Sequence, residues 1–198
     1  MMDYIYRPTR FWQASWCALV LLLQPLAPVV QSQERVNQNA QAVANFQKRV
    51  DAYMALHKKL EASLPKISKE ATPEQIDQDQ RALAALIAAA RADAKPGDIF
   101  TQDVQLVARS VMARLFAKAD RQKMLDSIND ENPGNIRLTV NGRYPDTVPL
   151  ANMPAELLKA LPPLPDELEY RFVGDALILF DAHAHIVVDF FQNVLPKR

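Results

Sequence analysis

A chain of 198 residues with 23 basic and 23 acidic side chains carries no net charge, so it has no global electrostatic pull toward nucleic acid or an anionic membrane surface. Hydrophobic residues make up 49% and charged residues 23%, the composition of a packed globular protein rather than a disordered one. With 4 glycines in the whole chain, neither a phosphate-cradling loop nor a dinucleotide fingerprint is available.

Residues 1–32 read as a cleaved signal peptide. Arg7 and Arg10 precede the apolar run CALVLLLQPLAPVV, and Val30 and Ser32 occupy the small-residue positions of a cleavage site. The run holds Pro25 and Pro28 and falls short of the roughly 20 apolar residues a spanning helix needs. Cys17 precedes the apolar core, which is not the lipoprotein arrangement. Cleavage after Ser32 would leave a mature chain from Gln33 with no cysteine, without disulfides, thiolate chemistry or cysteine-based zinc sites. The expected address is periplasmic or secreted, with no transmembrane span after cleavage.

Residues 33–132 are predicted to be helical. QSQERVNQNAQ at 31–41 is polar and is expected to fray. Val43, Phe46, Val50, Tyr53, His57, Leu60 and Leu64 then recur at spacings of three and four, a helical stripe that ends at Pro65. Thr72, Pro73 and Gln75 form a start signal with a capping box for a second helix. Its apolar side is Ile76, Leu83, Leu86, Ile87 and Ala90, and it stops at Lys95-Pro96-Gly97. A third helix starts at Thr101 with Val104, Val107, Val111 and Leu115 on one side. Met124, Leu125 and Ile128 either continue it or form a short fourth helix.

Residues 133–198 are predicted as a proline-rich crossing followed by a C-terminal β-meander. Seven of the 14 prolines fall between 133 and 165, which excludes long helices there. IRLTVNGRYP alternates apolar and polar residues and ends in the turn signal Asn141-Gly142, and MPAELLKALPPLP is a short helix opened by Pro154. LEYRFVGDALILFDAHAHIVVDFF reads as three strands, with turns at Gly174-Asp175 and within Ala182-His183-Ala184. The fold class is α+β: an N-terminal bundle of three or four helices followed by a small antiparallel β-meander.

Candidate chemistry centres on DAHAHIVVD. In an extended backbone Asp181, His183 and His185 project from one face, and two imidazoles with a carboxylate suit zinc, nickel or copper. A hairpin reversing at His183 would break that common face. Ile186, Val188 and Phe190 should face the core, which puts Asp189 on the opposite face as a surface carboxylate. His57, on the apolar stripe, reads as a packed core histidine with one hydrogen bond. No nucleophile-elbow glycines surround Ser68, Ser110 or Ser127.

The tail from Leu161-Pro162 through Val173-Gly174, then Leu177 to Asp181 and Ile186 to Phe190, carries the pattern LPxLPxxLEYRFVG…LILxD…IVVDF. In this it resembles a group of small exported bacterial proteins of unknown function. The resemblance covers about the last third of the chain; it implies export and an ordered C-terminal module, and it carries no activity.

Together these features suggest a non-enzymatic binding or interaction protein of the bacterial envelope, with an envelope protein as partner and no cofactor. The alternative is a periplasmic metal-binding or metal-sensing protein using Asp181, His183 and His185. A third class, a cell-wall hydrolase, would need Glu167, Glu169 and Asp181 to supply a paired-carboxylate cleft.

Overall fold

The computed structural model describes residues 27–117, 121–130, 132 and 136–195, with side chains from residue 34 onward. The expected signal peptide, Cys17 included, lies outside the described residues except for its last few positions, which open the first helix. No helix among the described residues is long and apolar enough to cross a membrane.

Helix α1 runs Ala27–Glu61. The stretch expected to fray is helical, because between Pro28 and Pro65 the sequence holds neither proline nor glycine to stop it. Its residues 34–41 are nevertheless all exposed. From Ala42 onward the predicted stripe is present, with Phe46, Val50, Tyr53 and His57 buried. Helix α2, Pro73–Ala90, opens with the predicted capping box between Thr72 and Gln75. It buries Leu83 and Ile87, while Ile76 at its start is exposed. Helix α3, Gln102–Phe116, buries Val104, Ala108, Met112 and Phe116. That row of every fourth residue is rotated from the valine stripe read in the sequence, because it brings the larger Met112 and Phe116 inward. Helix α4 is separate, at Arg121–Asn129.

The C-terminal part is a four-stranded antiparallel sheet in the order β1-β4-β3-β2. Strand β1 is the pair Gly142–Arg143, followed by the short helix α5, Ala155–Leu158, and then β2 (Leu168–Val173), β3 (Ala176–Asp181) and β4 (Ile186–Phe191). Ile136, Leu138 and Val140, read as strand, lie outside the ladder and pack their side chains on the sheet instead. At the β2–β3 turn Gly174 adopts φ 59, and Asn132 brackets it, accepting from its amide and donating to its carbonyl.

Helices and sheet share one core. Tyr170, Phe172, Leu177, Leu179, Ile186 and Val188 face the helices and pack with Phe46, Val50, Ile87 and Phe100. The other face, Ile178, Phe180, Val187 and Phe190, is covered by Tyr144 and the proline-rich crossing. The ladder pairs Leu179 with Asp189 but Phe180 with Val187, so Val188 is an extra residue. This bulge corrects the alternation read from the sequence. Phe190 goes to the crossing side, and Asp189, expected at the surface, is fully buried on the helix side. There its carboxylate accepts from the amides of Gly97 (2.8 Å), Ile99 (2.7 Å) and Phe100 (2.7 Å). Gly97 stands at φ 92 to present its N–H, a conformation that a side chain would strain.

Candidate metal centre

The β3–β4 turn spans Ala182–His185, one residue longer than expected, because His185 lies at φ 55 and belongs to the turn rather than to β4. Asp181 fixes its start by accepting from the Ala184 amide at 2.7 Å. The two histidines leave this turn in different directions. The His183 ring lies 5.4 Å from that of His57 on α1. The His185 ring packs edge-on against Phe180 and Tyr144, on the crossing side, with its Nε2 3.4 Å from Asp146. Asp181, His183 and His185 are therefore not brought together around one point.

Asp181 is fully buried and faces α1. Its Oδ2 accepts from the Tyr53 hydroxyl at 2.6 Å and from His57 Nδ1 at 2.7 Å. Burial alone would raise the Asp181 carboxyl. The bonds from His57, Ala184 and Tyr53 outweigh it and hold the group below the usual carboxylate range. Burial likewise pulls His57 down, but its bond to Asp181 and the charges of Asp181, Glu61 and Glu167 lift it above the ordinary histidine value. Burial, reinforced by Asp181, pushes the Tyr53 hydroxyl far up, so it remains a donor.

An ionised Asp181 requires the proton of His57 to sit on Nδ1, which leaves Nε2 as the free end of the ring. That nitrogen is buried and has no hydrogen-bond partner. Its near neighbour is Glu61 Oε2 at 3.7 Å, one helical turn along α1, and the other Glu61 oxygen is 3.7 Å from His183 Nδ1. Ligand atoms of His57, Glu61 and His183 all lie within 4.8 Å of one another. In a tetrahedral zinc site with bonds of about 2.0–2.1 Å the ligand atoms are roughly 3.3 Å apart. The 3.7 Å contacts that Glu61 makes with the two imidazoles exceed that spacing, and Glu61 and His183 are both partly exposed. On the far side of His183, Nε2 is 4.0 Å from Asp79 of α2. His57 is thus backed by a hydrogen-bonded carboxylate on its second nitrogen, the arrangement that fixes the tautomer and orientation of a metal-ligating histidine, while Asp79 stands near His183 without a hydrogen bond to it.

Glu61 and Asp79 escaped the sequence reading. The His57-x-x-x-Glu61 spacing on one helix face was the available signal, but its partner His183 is more than a hundred residues away. Glu167, Glu169 and Asp181 do not face one another as a hydrolase pair. Lys58 lies beside Glu167, Arg171 holds Glu169, and Asp181 is spoken for by α1. A recess of about 640 Å³ between the Pro162–Pro165 segment and Tyr170 lies apart from the histidines, and Arg171, on its wall, is paired with Glu169. Comparison with protein families, curated proteins and solved structures finds no match to this chain.

Proposed function

We propose that this is an exported, non-enzymatic envelope protein whose ligand is a divalent transition-metal ion held by His57 Nε2, His183 Nδ1 and the Glu61 carboxylate. The observation that carries the reading is His57, with Nδ1 tied to a buried aspartate and Nε2 buried, unpartnered and facing two further ligand groups. A buried polar atom left unpaired costs about 1–3 kcal/mol. Among the described residues His185 Nε2 and two Arg143 nitrogens share that state, but His57 Nε2 faces two further ligand groups, and a bound cation would supply its missing partner. The nitrogen-rich donor set suits zinc, nickel or copper. Export rests on the layout of residues 1–32 and on the resemblance of the tail.

Calorimetric titration of the purified protein with zinc tests the assignment. Saturable one-to-one binding is expected, weakened at least about tenfold by His183→Ala and by Glu61→Gln. His185→Ala, on the crossing side of the sheet, should leave it unchanged. Both ligand substitutions are at partly exposed side chains, so loss of binding would not be loss of fold. No saturable binding, or equal binding in the Glu61 and His183 variants, would remove the reading.

A further inference from the structure

We infer that the bound ion takes a small carboxylate anion as a further ligand, seated between the metal and Lys66; this rests on the metal reading above. The three protein ligands surround the ion unevenly. His57 is fully buried and forms the floor, while Glu61 and His183 form partly exposed walls. Three protein ligands leave a tetrahedral ion one open position, and with His57 beneath, that position faces outward.

An open groove of about 570 Å³ meets it there, lined by Lys58, Glu61, Lys66, Ile67, Asp79 and His183. That volume is in the range of small-molecule sites. Lys58 has a partner in Glu167 at 3.7 Å. Among the described residues Lys66 has no ion-pair or hydrogen-bond partner, and it lies on the groove wall beside the apolar Ile67. A divalent ion held by two neutral imidazoles and one carboxylate keeps one net positive charge in its ligand shell, and on the groove wall Lys66 offsets Asp79. That net charge selects an anion, and hard oxygen donors such as carboxylate fit the open position.

Cobalt-loaded protein reports this directly, because the visible absorption of cobalt(II) changes when a ligand enters its coordination sphere. With succinate as the probe, a saturable spectral change is expected. Lys66→Ala should weaken the succinate response by up to about fivefold, the size of an exposed ion pair, while leaving cobalt affinity intact. Cobalt binding with a spectrum indifferent to succinate would overturn the inference and leave the metal reading standing. Equal succinate affinity with and without cobalt, measured by calorimetry, would also overturn it, as would an unchanged response in the Lys66 variant. Failure of cobalt to bind at all would instead mark the metal reading as wrong.

Discussion

His57 and Asp181 form a fully buried hydrogen-bonded pair, ionic when the imidazole is protonated, whose members come from the first helix and the third strand. Removing one partner strands the other, together with the Tyr53 hydroxyl and the Ala184 amide, so Asp181→Ala should cost about 3–5 kcal/mol of stability. The cost should depend on pH. The depressed carboxyl contributes stability that is present above its unfolded pKa of about 3.9 and lost as pH falls through its lower folded value. The raised imidazole contributes stability that is full below about 6.5 and lost as pH rises through its higher folded value. Urea unfolding of wild type and Asp181→Ala should therefore differ most between about pH 4 and 6.5. A difference that grows steadily above pH 7 would contradict the pairing. At this scale the sequence was only half legible. His57 sits on an apolar stripe and could be read as buried, but nothing local to it names Asp181, 124 residues away.

At the scale of elements, the bulge at Val188 decides where chemistry can be. Strict alternation along β4 sends Asp189 outward; one extra residue turns it inward, onto the loop between α2 and α3. Burial raises the Asp189 carboxyl above its usual range against the pull of the amides it serves. Those amides belong to a segment with no ladder or helix of its own, so Asp189, together with the packing of Phe100 on Phe191, ties the start of α3 to the sheet. Asp189→Ala would leave several buried N–H groups without an acceptor and should destabilise the protein by at least about 3 kcal/mol, read from the urea midpoint. A loss under 1 kcal/mol would mean that water reaches those amides. Periodicity reads a regular strand well, and a bulge is invisible to it, because the inserted valine is as good a strand residue as its neighbours. The turn hid its geometry in the same way: His185 in the left-handed region separates two histidines that an extended reading puts on one face.

The whole molecule was the most legible level. Proline distribution, capping signals and the change of hydrophobic period from helical to alternating carried the α+β architecture and the order of its parts. What they could not carry was the layering, since the contact of α1 with the β3–β4 hairpin is a tertiary fact. That contact gives the proposed metal a global effect. The three ligands join the end of α1 to the hairpin tip, so an ion bound only by the folded state should raise stability by about 2.7 kcal/mol at a concentration of one hundred times its Kd. Thermal unfolding with zinc against chelator should show a rise in Tm that disappears in Glu61→Gln; a Tm indifferent to zinc would count against the site.

Diffraction can locate the proposed ion directly. Crystals grown with zinc, measured on both sides of its absorption edge, should show one anomalous peak at about 2.0–2.2 Å from His57 Nε2, His183 Nδ1 and a Glu61 oxygen. A peak between His183 and His185, or none near His57, would contradict the account.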